Sequence, residues 1–332
     1  MSKDEDLCYI FGMKSFWDSL PKPFFALAPL EDVTDAAFRK LIAKHGRPHV
    51  MFTEFTSADG LVLAEEKGQK KLRKKLLYSE SERPIVAQLF TSVPPHMEEA
   101  AALVASLGFD GVDINMGCPD RAVERGGCGA ALIKNPSLAR ELIRAAKKSG
   151  LPVSLKTRIG YDKDELETWL PELLAEEPAA IAIHARTRKE MSDVPARWER
   201  VKRAVEIRNE IKSKTLIIGN GDVEDIADAR EKANASGCDG VMLGRAIFGN
   251  PWLFMDVTHP YIPTPKERVK ALTEHLELFD ELLGDTTPFA TMKKHFKAYI
   301  SGWDGAKELR AKLMETLKAP EAVRILGTAK RR

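Results

Sequence analysis

Cys118 is the residue whose surroundings first indicate chemistry. It directly follows an apolar stretch and stands between Gly117 and Pro119, in the segment VDINMGCPDRAVERGGCGAALIKNP at 112–136. A thiol in this position could be a metal ligand, a buried packing group or a reactive group at the mouth of a site. Nine residues separate it from Cys128, and no second pair of cysteines has the spacing of metal ligands. We therefore predict no metal site, and the other two interpretations stay open.

Polar side chains and glycines recur where the apolar stretches of the chain end. They are Pro29, Leu30 and Glu31, then Glu54, Gln88, Asn115 with Cys118, Lys156 with Arg158, His184 with Arg186, Asn220, Gly221 and Asp222, and Gly244 with Arg245. Each residue alone has a structural explanation, but all eight stretches end in this way. At the last two, glycines permit close approach of backbone N–H groups, and Arg245 offers a bidentate fork for a phosphate. Two ordinary turns are the alternative.

The elements that must position these residues alternate regularly from residue 24 onward. Amphipathic segments separate eight short apolar stretches: FFALAP, HVMFTEF, PIVAQLF, GVDINMG, PVSLKTR, AIAIHAR, TLIIGNG and GVMLGR. Continuous apolarity is typical of strands that are buried on both faces of a parallel sheet. Eight such strands with helices between them predict a (β/α)8 TIM barrel, whose active site forms at the C-terminal ends of the strands. A doubly wound sheet is the alternative, but no G-x-G-x-x-G follows the first strand.

The chain beyond the linker THPYIPTP has a purely helical pattern. TPKE at 264–267 is a capping box with Pro265 at the first helical position, and Gly284 is the expected end of this helix. We predict an N-terminal extension over 1–22, a barrel over 23–260 and a helical domain over 261–332. That last part carries 14 Lys and Arg against 10 Asp and Glu, whereas the remainder carries 37 against 39. A solvated helical surface is the default explanation of this mild basic balance.

Composition limits the class of protein. With 332 residues, 44% hydrophobic and 30% charged, the sequence is neither disordered nor membrane-embedded in pattern. No apolar run approaches the roughly 18 residues that a spanning helix needs. The start, MSKDEDLCYIFGMKSFWDSLPKP, lacks the apolar stretch of a signal peptide. We expect a cytoplasmic monomer with reduced thiols and no membrane contact.

Taken together, a set of ordered motifs resembles the tRNA-dihydrouridine synthase family. The motifs are APLEDVTD, VAQLF, INMGCP, GGCGAALIKNP, LKTRIG, IHARTR, GNGD and MLGRAIFGNPWLF. They cover about residues 24 to 255, and the helical tail resembles the RNA-binding domain of that family less specifically. The resemblance implies an FMN-dependent, NADPH-consuming reduction of the uracil 5,6 double bond in tRNA. An FMN barrel that reduces a free pyrimidine or enone, and a non-catalytic RNA-binding protein, are the rival functions.

The same resemblance implies roles for individual residues. FMN would be held by Pro29, Leu30, Glu31, Gln88, Lys156, His184, Asn220, Gly221, Asp222, Gly244 and Arg245. Hydride from FMNH2 would go to C6, and Cys118 would give a proton to C5 from a mobile loop. The pKa of a free thiol is about 8.5, so it is mostly protonated at neutral pH and can still release its proton. A packing thiol remains the alternative for Cys118, and Cys128 is interpreted as one.

RNA contacts are expected at two kinds of position. In the barrel they are Asn115 and Arg186, which could face the uracil edge and its phosphates, and Arg121 and Arg188 at the rim. In the tail they are Lys293, Lys294 and Lys297. These three lysines share or border one helical face, so they could act together on an RNA backbone. A solvated surface is the alternative for any one of them.

Overall fold

The structure of the chain, a computed structural model, describes residues 15–255 and 261–329. Its centre is a sheet of parallel strands wound into a barrel. The strands are β1 (Phe24–Leu27), β2 (Met51–Phe52), β3 (Thr56–Ser57), β4 (Ile85–Phe90), β5 (Gly111–Met116), β6 (Val153–Arg158), β7 (Ala180–His184), β8 (Leu216–Asn220) and β9 (Gly240–Leu243). Neighbours follow the order β1-β9-β8-β7-β6-β5-β4-β2, and a bridge between Ala26 and Val50 brings β1 back beside the start of β2. The predicted barrel is confirmed.

Helices cover the outside of the barrel. They are α1 (Ala36–Gly46), α2 (Ala58–Leu63), α3 (Glu66–Lys75), α4 (Pro94–Ser106), α5 (Arg121–Arg125), α6 (Pro136–Lys147), α7 (Leu166–Leu174), α8 (Trp198–Ile211) and α9 (Ile226–Ser236), with short 3-10 turns at Phe16–Ser19, Glu80–Glu82, Gly129–Lys134 and Arg245–Ile247. Asp35 caps α1 by accepting the N–H of Phe38 at 2.9 Å. Gly108 and Gly150, with φ of 80° and 78°, follow α4 and α6 as the predicted stop residues.

The segment predicted as the second strand, HVMFTEF at 49–55, is a strand only at Met51–Phe52, and a further short strand, Thr56–Ser57, follows it. Both short strands pair with β4, and between them the N–H of Thr53 still donates to the carbonyl of Val86 at 3.0 Å. The cause of the break is Thr53, whose hydroxyl oxygen accepts the N–H of Gln88 at 3.1 Å. A side chain thus takes the place of a backbone carbonyl. Phe55 lies in the break and lines the cleft above the barrel.

The barrel interior is closed at the N-terminal ends of its strands by the residues before β1. Trp17 is 3% exposed and packs edge-on against Phe24, with ring centroids 5.9 Å apart. It belongs to an apolar cluster inside the barrel that includes Ala26, Val50, Val86, Ala180, Ile218 and Met242. The described part of the predicted extension is therefore a plug of the barrel, and residues 1–14, with Cys8, lie outside the described residues.

Beyond the barrel the chain is helical, as predicted. The helices are α10 (Pro265–Leu283), α11 (Lys293–Tyr299), α12 (Ala306–Glu315) and α13 (Ala319–Ala329), with a 3-10 turn at Phe289–Thr291. Thr264 and Glu267 form the predicted capping box of α10, and Gly284 ends this helix. His275 of α10 stacks on Phe38 of α1 at 4.7 Å between ring centroids. The predicted boundary at 260 lies outside the described residues, so the division into domains stays a prediction. Within 15–255 and 261–329, none of the helices has the length and apolarity needed to cross a membrane.

Candidate active site

A cleft of about 1010 Å³ opens at the C-terminal ends of the barrel strands. Its walls contain every residue that the sequence predicted to hold FMN, namely Pro29, Leu30, Glu31, Gln88, Lys156, His184, Asn220, Gly221, Asp222, Gly244 and Arg245. Asn115, Cys118 and Arg186 line it as well. The structure thus brings these side chains together because parallel strands all end at the same rim. Their roles stay predictions.

Cys118 follows β5 in a turn, and both its backbone N–H and its backbone carbonyl make hydrogen bonds. Its N–H donates to Oδ1 of Asn115 at 2.9 Å, and its carbonyl accepts the N–H of Ala130 at 3.0 Å. Gly129 makes the second contact possible, because its φ is +61° and a Cβ there would lie 2.7 Å from the Cys118 carbonyl oxygen. The mobile loop expected from the sequence is therefore a pinned turn.

The two cysteines near β5 have different surroundings. Burial raises the pKa of the Cys118 thiol above its ordinary value, although Lys156 and Arg158 lower it. Cys118 therefore keeps its proton at neutral pH, which suits a proton donor and not a nucleophile. Cys128 is 3% exposed, and its Sγ donates to the carbonyl of Gly126 at 3.4 Å. This is the environment of a packing thiol.

A chain of buried hydrogen bonds connects the barrel interior with the Cys118 turn. Ser154 donates to one oxygen of Asp113 at 2.6 Å, and Nε2 of Gln88 donates to the other at 2.7 Å. Nδ2 of Asn115 donates to Oε1 of Gln88 at 3.0 Å, while its Oδ1 accepts the N–H of Cys118. Burial raises the pKa of Asp113 to about 6, against the two hydrogen bonds that lower it. Sequence reasoning missed Asp113 and Ser154, whose pairing across β5 and β6 depends on strand register.

Lys156 lines the cleft, and its ammonium makes no hydrogen bond to another described residue. Its pKa is lowered from 10.5 to about 8, chiefly by burial and then by the charge of Arg158, while Asp113 and Cys118 act in the opposite direction. A partly buried ammonium without a partner suits a ligand that offers carbonyl or negatively charged oxygen atoms. Arg158 differs, because its guanidinium donates to the carbonyls of Gly117 and Thr187 at 2.9 and 3.0 Å. Arg158 therefore braces the turn after β5.

Asp222 joins two arginines where the cleft meets the ends of β8 and β9. Arg245 donates to one carboxylate oxygen at 2.6 Å, and Arg186 donates to the other. Arg186 is 2% exposed and also lies 3.0 Å from Nε2 of His184, which it holds as an acceptor. Burial and the surrounding cations lower the pKa of His184, so its ring is neutral. Although it bonds to Asp222, the side chain of Arg245 is 66% exposed and can also reach an anion. Arg186, predicted to contact substrate, is buried and engaged by protein groups.

The remaining residues predicted to bind RNA do not line the cleft. They are Arg121, Arg188, Lys293, Lys294 and Lys297. Arg188 donates to Glu124 at 2.8 Å, and Lys293 donates to a backbone carbonyl at 2.7 Å. Lys294 pairs with Asp32 at 2.8 Å. The other two are exposed and form no ion pair with a described residue. Three of the five are thus tied to protein partners, and an RNA contact stays a prediction for all of them.

Three carboxylates that sequence reasoning did not group converge beside the cleft. Glu31, Asp32 and Glu54 have oxygen atoms within 4.8 Å of one another. Burial raises the pKa of Glu54 to about 7, and its carboxylate accepts the N–H of Asp32 at 2.7 Å. Lys75 of α3 pairs with Glu31, and Lys294 of α11 pairs with Asp32. The group therefore links the cleft to both helices.

Comparisons with known proteins decide the family. Residues 26–331 match the sequence profile of dihydrouridine synthase (Dus). A relative from Staphylococcus epidermidis, named "Probable tRNA-dihydrouridine synthase", is 43% identical over 317 residues, which are 95% of this chain and 96% of the relative. The chain belongs to the dihydrouridine synthase family. A second relative, "Probable tRNA-dihydrouridine synthase 2" from Bacillus subtilis, is 43% identical over 315 residues, 94% of this chain and 95% of the relative.

Membership of the dihydrouridine synthase family confirms the predicted family, the enzyme class and the reduction of uridine in tRNA as the activity. It also supports a flavin cofactor and a tRNA substrate. Morphinone reductase in complex with tetrahydroNAD shares 16% identity at a TM-score of 0.50, over 71% of this chain and 86% of that chain. Histamine dehydrogenase from Rhizobium sp. 4-9 shares 13% at a TM-score of 0.50, over 76% and 48%. At these identities the likeness shows the barrel fold alone.

Proposed function

We propose that the chain reduces the 5,6 double bond of uracil in tRNA with FMN held in the cleft and NADPH as the electron source. One observation carries this proposal: a protonated thiol at Cys118 and an unpartnered ammonium at Lys156 line the same cleft. The overall reaction adds a hydride to C6 and a proton to C5, and it oxidises one NADPH. Reduced FMN, when bound, supplies the hydride.

The donor groups of the cleft fit FMN. The cleft volume of about 1010 Å³ is at the upper end of small-molecule sites, which leaves room for a uracil base beside a flavin. Gln88 and Lys156 would hold the polar edge of the ring, where carbonyl oxygens need donors. Arg245 and the backbone N–H groups at 220–222 and 244–245 would hold the phosphate. Neutral His184 and residues 29–31 complete the lining of the site.

Cys118 would act as the acid for C5. Burial keeps its thiol protonated, and the bonds of its backbone to Asn115 and Ala130 fix the position from which it gives the proton. A nucleophilic cysteine would need a lowered pKa, which is the opposite environment. Lys156 would stabilise negative charge on the neighbouring ring, because its ammonium has no competing partner among the described residues.

The finer parts of the proposal concern the reductant, the class of RNA, the oligomeric state and the compartment. NADPH, not NADH, would be the reductant, and tRNA, not ribosomal RNA, the target; the names of the two relatives support the second choice. We further propose a monomer that acts in the cytoplasm, where tRNA and NADPH are both present.

The experiment separates cofactor reduction from product formation. Purified protein should show flavin absorbance, and NADPH should bleach it in the absence of RNA. In Cys118→Ala this bleaching should continue at the wild-type rate, because the thiol is needed only at C5. Dihydrouridine formation in a tRNA transcript should fall by at least about 10²-fold, the contribution of a general acid.

Cys238→Ala is the matched control, because Cys238 is a free thiol that lies at the opposite end of the barrel, where its Sγ donates to the carbonyl of Gly240. It should retain both half-reactions. Equal product formation by Cys118→Ala and Cys238→Ala would contradict the role of Cys118. A protein that binds no FMN on titration would contradict the whole proposal.

A further inference from the structure

Helix α3 has a lysine face that the proposed chemistry does not use. Lys67, Lys70, Lys71 and Lys74 follow one another at spacings i, i+3, i+4 and i+7, which places all four on one side of the helix. The segment 65–75, EEKGQKKLRKK, contains six basic residues against two acidic ones. None of the residues of this helix is buried.

Most of the lysine face has no ionic partner. Lys67, Lys70 and Lys71 are exposed, and no carboxylate among the described residues lies within ion-pair distance of them. Lys74 is different, because it pairs with Asp285 at 3.2 Å. Like charges at these spacings destabilise a helix, and α3 has no side-chain N-cap bond to offset them. The lysines therefore do not stabilise the fold, and a polyanion would relieve their repulsion.

The lysine face lies next to the mouth of the cleft. Lys75, at the end of α3, pairs with Glu31, and its Nζ lies 5.8 Å from the ring centroid of Phe55. Glu31 and Phe55 both line the cleft. Lys74 donates to the carbonyl of Leu282 at 2.7 Å, so the same face reaches the end of α10. From there it extends away from the cleft, with Lys67 about 12 Å beyond Lys75 along the helix.

We propose that the lysine face of α3 binds the phosphate backbone of the tRNA whose uridine enters the cleft. This inference rests on the proposed function, which supplies tRNA as the substrate. Lysine ammonium groups bind phosphates without reading the bases, so they can position an RNA strand beside a site. Of the three tail lysines expected to contact RNA, two are already engaged, because Lys293 donates to a carbonyl and Lys294 pairs with Asp32.

The test is the triple variant Lys67→Gln/Lys70→Gln/Lys71→Gln. Its affinity for an unmodified tRNA transcript is measured by electrophoretic shift at several salt concentrations. Loss of three phosphate contacts should reduce affinity at least tenfold near physiological salt and reduce the slope of log K against log salt by about 2 to 3. NADPH oxidation without RNA should not change, and the melting temperature should not fall.

The control is the triple variant Lys202→Gln/Lys212→Gln/Lys214→Gln, which removes the same charge. These lysines are exposed and lie on and after α8, across the barrel from α3. The control should bind tRNA like the wild type. Should the α3 triple variant melt early, the double variant Lys70→Gln/Lys71→Gln is used and should show about two thirds of the change in slope.

Equal tRNA affinity of the α3 variant and the control would overturn the inference. So would a loss of affinity that follows only from changing Lys293, Lys294 and Lys297. Because binding is measured without turnover, it remains informative if no dihydrouridine is formed. If the proposed function is wrong, dihydrouridine is not formed; if the inference about the lysine face is wrong, the α3 variant binds tRNA as tightly as the control. The two failures are therefore distinguishable.

Discussion

Truncating Asn115 to alanine tests whether a pinned turn, and not the thiol alone, makes Cys118 an effective acid. Oδ1 of Asn115 accepts the N–H of Gly117 at 3.1 Å and that of Cys118 at 2.9 Å, and its Nδ2 donates to Gln88 at 3.0 Å. Each bond contributes about 1 kcal/mol net, so the free energy of unfolding should fall by about 3 kcal/mol. The two bonds to the turn account for about 2 kcal/mol of this, or about 30-fold in the equilibrium between held and released turn.

The rate of the proton-transfer step should therefore fall by up to about 30-fold in Asn115→Ala. FMN reduction by NADPH should change little, because the thiol takes no part in it. Single-turnover formation of dihydrouridine from prereduced protein measures the first rate, and flavin bleaching measures the second. Alkylation of Cys118 by iodoacetamide should accelerate, because a released turn exposes the thiol to solvent.

Asn115→Asp is the matched comparison, because it keeps an oxygen for both N–H groups while it replaces the donor to Gln88 by a carboxylate oxygen and adds a charge. It should retain more of the proton-transfer rate than Asn115→Ala. The reasoning is wrong if Asn115→Ala keeps the wild-type rates of dihydrouridine formation and alkylation. It is also wrong if both half-reactions fall equally, since Asn115 would then act on the flavin and not on the turn.

Two further predictions concern stability. Lys156→Met should bind FMN more weakly yet unfold at higher denaturant as apoprotein at pH 7, by up to about 3 kcal/mol. The native pKa of Lys156 is lowered from 10.5 to about 8, so wild-type stability rises with pH across that window and the variant should lack the rise. Arg39→Met should cost about 3 to 5 kcal/mol in urea unfolding, because it leaves the buried carboxylate of Glu82, paired at 2.8 Å, without its cation. Arg39→Met/Glu82→Gln should recover the part of the loss that comes from the unpaired charge, but not the part from the bonds of Arg39 to the carbonyls of Thr34 and Leu77. No recovery would mean that the ion pair is not the source.

The barrel was predictable because its signal is local and repeated. Strands buried on both faces read as continuous apolar runs, and glycines such as Gly108 and Gly150 mark the helix ends in the sequence itself. The second strand was less predictable, because its break depends on the Thr53 hydroxyl taking the N–H of Gln88, a contact 35 residues away in sequence. Propensity and pattern carry no information about such a substitution of side chain for backbone.

The contents of the cleft were predictable for the same topological reason, but the partners inside it were not. Parallel strands must end at one rim, so the strand-end rule collects Gln88, Lys156 and His184 without any knowledge of their contacts. Whether a cation is free depends on distant residues. Arg186 meets Asp222, and Lys294 meets Asp32 from a position 262 residues away. A charge count over a long region also fails to detect the basic cluster of α3. Its six Lys and Arg residues are cancelled in a sum over a barrel that is slightly acidic.

The position of Cys118 shows how the barrel imposes order on a loop residue. Asn115 accepts the N–H of Cys118, and Arg158 donates to the carbonyl of Gly117. Later in the chain, Gly129 comes back into close contact with the carbonyl of Cys118. Three elements therefore fix the residue that carries the thiol, and each acts on the backbone and not on the sulfur. A group that must protonate carbon gains from such fixation, because a displacement of about 1 Å can cost about 10²-fold in rate. The glycine-rich motif after the cysteine is thus explained by close backbone approach, and not by flexibility.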